Sequence, residues 1–211
     1  DGATPLWDFD WSDAMEQQAL RTELNLNVSG GGQKNQYFFS AGYLNDKGIA
    51  LESGYQRFNL RSNITSEMTS WLKGGVNMSF AHSMQNYPVS SDTKTSNVIN
   101  AGRTMPGFYP IYEVNPNDGS IIYKDGSPVP DFGPYRPSGS MANWNLPATL
   151  PLDKSERMKD EFSGRTFLEV TFIPGLKFKT SFNFDLINYN SLDFTNSLIG
   201  PSVTTGGGSS R

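Results

Sequence analysis

Hydrophobic and polar residues alternate with a period of two along several stretches of this chain, the pattern of a strand with one apolar and one polar face. The first covers residues 20–29, where Leu24, Leu26 and Val28 alternate with Glu23, Asn25, Asn27 and Ser29. A Gly30-Gly31-Gly32-Gln33-Lys34-Asn35 cluster then supplies turn chemistry, and a second strand at 37–44 sets Phe39, Ala41 and Tyr43 on one face. A third, at 55–65, opposes Phe58, Leu60 and Ile64 to Arg57, Asn59, Arg61 and Asn63. A fourth, at 71–83, opposes Leu72, Val76, Met78 and Phe80 to Lys73, Asn77, Ser79 and Ala81. The pattern lapses over the proline-rich stretch 87–157, which reads as one long loop with minor hairpins. A fifth strand at 161–173 sets Phe162, Thr166, Leu168, Val170 and Phe172 against Arg165, Glu169 and Thr171, and ends at Pro174-Gly175. A sixth, at 176–189, alternates Phe178, Phe182, Phe184 and Leu186 with Lys179, Ser181, Asn183 and Asp185.

Alternation alone fits two architectures. A β-sandwich buries one face of each strand against a second sheet, whereas a membrane barrel turns that face to lipid and the other to a polar lumen. Three features favour the barrel. The strands run to about 10 residues, enough to cross a bilayer at a tilt, against about 5–6 in ordinary sheets. Their polar faces carry charges and amides in rows. The connections alternate between short (30–35, 66–70, 174–175) and longer (45–54, 87–157), the asymmetry of periplasmic turns against extracellular loops. The expected fold class is all-β: antiparallel long strands forming an arc of a transmembrane β-barrel, with one long extracellular loop. The alternative is a secreted or surface β-sandwich serving as a carbohydrate-binding or adhesion module.

Composition narrows the choices. With 36% hydrophobic residues, a mean hydropathy of −0.48 and no apolar run of about 18 residues, the chain holds no membrane-spanning helix. A barrel escapes that test because only alternate residues meet lipid. Zero cysteines remove disulfides and thiolate metal sites. A net charge of −4 argues against nucleic acid as a partner. The opening Asp1-Gly2-Ala3-Thr4-Pro5 lacks the pattern of a signal peptide, so either such a peptide has been removed or residues 1–211 are an internal fragment, on the barrel reading a segment of the barrel.

Candidate chemistry is sparse. His82 is the sole histidine and reads as a rim residue, with no partners for a zinc site or a catalytic triad. The Gly30–Gly32 run lacks the lysine and helix of a phosphate cradle. Acidic residues such as Asp8, Asp10, Asp13, Glu156 and Asp160 read as solvated charges rather than a glycosidase pair, and Asn115-Pro116-Asn117-Asp118-Gly119 reads as a turn. No catalytic residue, metal site or cofactor is expected.

Taken in order, several runs resemble a known family. Asp10-Trp11-Ser12-Asp13, Leu24 to Gly31, Tyr37-Phe38-Phe39-Ser40-Ala41-Gly42-Tyr43-Leu44-Asn45 and Gly48-Ile49 are similar to the early barrel strands of SusC/RagA-type TonB-dependent transporters. The resemblance continues through Tyr55-Gln56-Arg57-Phe58-Asn59-Leu60-Arg61-Ser62-Asn63, Trp71-Leu72-Lys73-Gly74-Gly75-Val76-Asn77-Met78-Ser79, Tyr109-Pro110-Ile111-Tyr112 and Asp118-Gly119, covering about residues 10–190. It implies a share of a large plugged barrel in the outer membrane that imports oligosaccharides or peptides. The implied partners are outer-membrane lipid, a SusD-like surface lipoprotein as lid, and the TonB complex, reached through parts this chain lacks. Plug domain, TonB box and most of the strands of such a barrel are not found here. On the long loop, sugar stacking on aromatic rings beside polar groups makes Tyr109, Tyr112, Arg136, Trp144 and Asn145 the candidate ligand-binding residues; packing of the loop on itself is the simpler reading of the same side chains.

Overall fold

The computed structural model describes residues 6–88, 97–137, 142–198 and the backbone of 208–210; residues 1–5, 89–96 and 138–141, on which part of the N-terminal and loop expectations fall, lie outside the described residues. Its frame is one antiparallel sheet. β1 (Arg21–Gly31), β2 (Asn35–Lys47), β3 (Gly54–Glu67), β4 (Leu72–Asn86), β7 (Lys154–Ile173) and β8 (Leu176–Thr195) pair in that order, and β9 (Gly208–Ser210) adds a short edge to β8. Between β4 and β7 lie helix α2 (Val98–Thr104), the two-residue strands β5 (Tyr123–Lys124) and β6 (Ser127–Pro128), helix α3 (Leu146–Thr149) and a 3-10 turn at Leu150–Leu152. A one-turn helix, α1 (Trp11–Ala14), precedes β1.

Several strands outrun their alternation. β7 begins at Lys154 rather than near 161, pairing Glu156 with Asn86, and β8 continues to Thr195 rather than 189. Ser155-Glu156-Arg157-Met158-Lys159-Asp160 has no apolar phase to reveal a strand. Backbone pairing needs none, since the ladder is made of main-chain donors and acceptors that every one of these residues carries.

The register keeps each phase on one face. Leu26 pairs Ala41, Ala41 pairs Leu60, Leu60 pairs Phe80, Phe80 pairs Phe162 and Phe162 pairs Leu186, a row of apolar side chains across six strands. The next row on the opposite face runs Asn27, Ser40, Arg61, Ser79, Ser163, Asp185. Nothing covers the apolar rows: Leu26 is 67% exposed and Phe182 64%, while every buried apolar residue among those described lies outside the long strands. A sandwich would need a second sheet over this face, and among the described residues the only other sheet is the β5–β6 pair. Water cannot be the intended solvent of such a face, because a contiguous apolar surface spanning six strands is far beyond what soluble monomers expose.

The hairpins add a geometric signature. One hydrogen-bonded row passes through Gly31, Gln36, Thr65, Gly75, Phe167 and Ser181. From that row the first hairpin closes over 5 residues, the second over 10 and the third over 14. The tips therefore descend by about 4.5 residues, roughly 15 Å, over four strand spacings of about 4.8 Å each. Tips lying on one membrane surface would then belong to strands tilted by roughly 40°, within the range of closed barrels. The last tip is Pro174-Gly175, with Gly175 at φ 91°, a turn position closed to most side chains.

His82 on β4 faces the apolar side beside Asp160 of β7, its Nδ1 2.6 Å from Asp160 Oδ1, and so marks where the apolar rows end. The apolar phase assigned to lipid (Leu24, Leu26, Phe39, Tyr43, Phe58, Leu60, Val76, Met78, Leu168, Val170, Phe182 and Phe184) shares this face. In the intact barrel folded into lipid vesicles, Phe182→Arg is expected to cost about 2–4 kcal/mol near mid-bilayer, and Asn183→Arg far less. Urea titration of the two variants checks this, and equal costs would reverse the faces.

Candidate functional site

All three short turns lie at one end of the sheet, and the 48–53 turn, the long loop and the segment before β1 gather at the other. The gathering has a local cause. Asp10 caps α1 by accepting from the Asp13 amide at 3.0 Å, which drives Trp11 inward to 1% exposure. Trp11 Nε1 donates to the Tyr109 carbonyl at 2.8 Å, and its ring joins Met15, Val98, Ala101, Met105, Ile111, Leu146 and Leu150 in a small core. The same segment is stitched to the 48–53 turn: Gln17 N donates to the Ile49 carbonyl and Leu51 N to that of Met15. The loop thus carries a folded platform, where the sequence suggested a loop with minor hairpins.

At its centre is Arg136, whose side chain is fully buried. Its Nη2 donates to Asp131 Oδ2 at 2.8 Å, to the Pro110 carbonyl at 2.7 Å and to the Asp131 carbonyl at 3.1 Å. The guanidinium also lies 5.4 Å from the Trp11 ring centre and 5.7 Å from that of Tyr109, within cation–π range. Gly133, at φ 50°, fits because a Cβ there would strike the Arg136 side chain. Asn145 is wholly buried as well: its Nδ2 donates to the Ile111 and Asp131 carbonyls at 2.6 and 3.0 Å, while its Oδ1 caps α3 through the Ala148 amide. Asp131 further accepts from the Gly133 amide and from Tyr135 Oη, both at 2.7 Å. Burial, then the hydrogen bond to Asp131, pushes the Tyr135 phenol above its ordinary pKa, so it remains a donor.

The five residues singled out in the sequence therefore meet, around one core. Arg136 and Asn145 are interior struts. Tyr109 and Trp144 are half-buried and lend backbone carbonyls, Tyr109 to Trp11 and Trp144 to Arg136 Nη1 at 3.5 Å. Tyr112 pairs its backbone with Pro130 and sets its ring edge-on to Phe9, 6.4 Å between centres. The rings the platform offers to solvent are Tyr135, Tyr123 and Phe108, at 65, 62 and 59% exposure. Reasoning on the sequence missed Trp11 and Asp131. The Asp-Trp-Ser-Asp run, a cap pattern beside a lone large aromatic, was the available signal for Trp11; nothing local marks Asp131. Among the described residues no cluster of three or more His, Cys, Asp or Glu converges as a metal site.

The comparisons agree with this geometry. A TonB-dependent receptor, P39, of Formosa agariphila is 26% identical over 184 residues, which is 85% of this chain and 15% of that protein. The TonB-dependent receptor SusC of Bacteroides thetaiotaomicron is 30% identical over 79 residues, 37% of this chain and 8% of SusC. The structure of the RagAB peptide transporter superposes with a TM-score of 0.63 at 24% identity, covering 90% of this chain and 20% of the matched one. No family model matches. The chain thus spans about a sixth of the length of the curated relatives that match most of it. Fold and relatives define a class: a wall segment of an outer-membrane β-barrel. The chain is similar to TonB-dependent receptors, SusC among them, and shares its fold with the RagAB transporter.

The platform's dependence on its ion pair is measurable. Asp131→Asn would leave the Arg136 guanidinium buried without its carboxylate, a loss expected to cost about 3–5 kcal/mol of local stability. Hydrogen exchange should show the amides of Gly133, Arg136 and Thr149 losing protection while the β4–β7 ladder keeps its own. Unchanged exchange at all three would show that the pair is dispensable.

Proposed function

We propose that this chain supplies part of the barrel wall and an extracellular loop of a TonB-dependent importer of glycans or peptides, and that it performs no catalysis. The observation that carries the reading is the uncovered apolar phase, continuous across six strands whose hairpin tips descend at a barrel's slope. Such a sheet is at home only where lipid meets one face and a polar interior the other. The likeness to SusC and to the RagAB transporter supports import as the activity.

The platform is the share of the chain that meets the outside. Short turns characterise the periplasmic rim of such barrels and long excursions the cell exterior, so the end carrying α1, α2 and the β5–β6 hairpin faces outward. A folded platform presents a fixed surface to a ligand or to a SusD-like lipoprotein lid, which a floppy loop of equal length could do only at a greater cost in ordering. Tyr135, Tyr123 and Phe108 offer rings for sugar or side-chain stacking. Tyr109, Tyr112 and Trp144 back them from the core edge, and Arg136 and Asn145 act on ligand only by holding that surface in shape. Energy would come from the TonB complex through parts of the receptor outside these 211 residues.

These 211 residues contribute no cysteine of their own to the background of a single-cysteine labelling experiment. Ser127→Cys, in the β5–β6 hairpin, is expected to react with an impermeant thiol reagent on whole cells, and to be shielded when lid or ligand is bound. Ser66→Cys, at the short-turn end beside Asn35, is expected to stay unlabelled. Labelling of the second and not the first, with the lid removed, would turn the topology over.

A further inference from the structure

The apolar phase stops short of the outer ends of the strands. On the face that carries it, β2 and β3 pass from Ala41 and Leu60 to the cross-strand pair Tyr43–Phe58, and then to Asn45 and Gln56. Aromatic rings at such a boundary mark the level where acyl chains give way to headgroups. Directly beyond them, on the same face, lies a cavity of about 230 Å³ lined by Asn45, Lys47, Glu52, Gln56 and Asn86. Gln17 bounds it on the side of the 48–53 turn, where its Nε2 donates to the Gly48 and Ser53 carbonyls at 2.9 and 2.8 Å. Lys47 and Glu52 make no ion pair with any described residue, and Asn86 Oδ1 is buried without a hydrogen-bond donor. The cavity thus offers a cation, a carboxylate and amides, groups that both give and accept hydrogen bonds.

Below the aromatic pair the same strands carry an apolar groove of about 330 Å³. Its cause is a small residue in a row of large ones: Ala41 stands between Leu26 and Leu60, and Phe39, Met78 and Phe80 wall the hollow that results. Gln56 at the cavity and Leu60 at the groove are four residues apart on β3, about 13 Å along the strand and about 10 Å in depth at a barrel's tilt. A polar hollow above, rings between and an apolar hollow beneath match an amphiphile with one head and acyl chains. We propose that cavity and groove together form a binding site for one glycolipid of the outer leaflet, its sugar beside Asn45, Gln56 and Asn86 and an acyl chain in the groove at Ala41. A sugar suits the head because its hydroxyls can donate to Asn86 Oδ1 and Glu52 while accepting from Lys47 and the amides. An ionised phosphate has only acceptors, and would leave the first two unmatched. An imported solute is the poorer occupant, since the cavity lies on the lipid-facing side of the wall and not on the lumen side.

This rests on the reading of the chain as barrel wall with its short turns in the periplasm, and the test keeps the two apart. A photo-cross-linking amino acid is placed at Gln56 in the intact receptor in its native membrane, and illumination is expected to join it to a sugar-bearing lipid. Joining only to phospholipid, to added oligosaccharide or peptide substrate, to another protein, or to nothing would overturn the site. The receptor extracted in mild detergent is also expected to retain glycolipid, as read by mass spectrometry. Gln56→Leu with Asn86→Leu at the head, and Ala41→Phe filling the groove, should each cut that retention about tenfold. Leu168→Phe, on the same face but outside the groove, should leave it unchanged. Retention indifferent to the head variant or to the groove variant would equally sink the proposal. A second probe at Phe182, on the apolar phase of β8, should label lipid of any kind; its failure to do so would count against the barrel reading and not against the site.

Discussion

Everything in this chain hangs on an unbroken antiparallel ladder. A backbone crossing hydrocarbon finds no water for its amides and carbonyls, so each strand must satisfy its neighbours along the whole crossing. The same ladder fixes register, and because side chains alternate with a period of two, a slip of one residue between β3 and β4 would turn Phe80 and Met78 to the interior and Asn77 and Ser79 to lipid. One set of hydrogen bonds thus secures both the strands and the sorting of polar from apolar.

The most demanding link is the pairing of β4 with β7, since these neighbours are separated by the entire long loop. Asn86 stands opposite Glu156, so an excursion of nearly 70 residues must leave and return within one strand spacing. Closure entropy grows only slowly with loop length, so an excursion this long is affordable whether it stays unordered or folds on itself. Here it folds: Trp11, from before β1, enters the loop and supplies the apolar mass around which α2 and α3 assemble. The buried Arg136–Asp131 pair then ties the remaining turns to that core. Such a pair adds little net stability compared with an apolar substitute, but it is intolerant of losing one member, which restricts the loop to a single arrangement.

The wall was legible in the sequence for the same reason that it is stable. Alternation such as Phe178, Phe182, Phe184 against Lys179, Ser181, Asn183 is a direct print of the two environments, and no distant residue is needed to read it. Where polar residues fill both phases, the print fades, and so the outer part of β7 from Lys154 to Asp160 escaped notice. The platform was harder. Its aromatics and Arg136 stood out as interesting, but whether a given one faces ligand or core depends on contacts such as that between Trp11 and Tyr109, 98 positions apart. Asn145 looked like a sugar-binding amide and is instead a cap and cross-brace, because a side chain with both donors and acceptors serves either purpose equally well on paper.

The two parts of the chain therefore answer to different constraints. In the wall, any residue of the right phase serves, since lipid asks only for apolarity and the ladder only for a backbone. That tolerance explains how a TM-score of 0.63 coexists with 24% identity. In the platform, individual atoms matter, because Arg136 and Asn145 both donate to the Asp131 carbonyl while the Asp131 carboxylate accepts from Arg136 as well. Such a platform can change its exposed rings, Tyr123 or Tyr135, without touching the struts beneath them. It can change the struts only at the expense of the whole surface. The exposed surface of the platform is then free to vary while its interior is held nearly fixed.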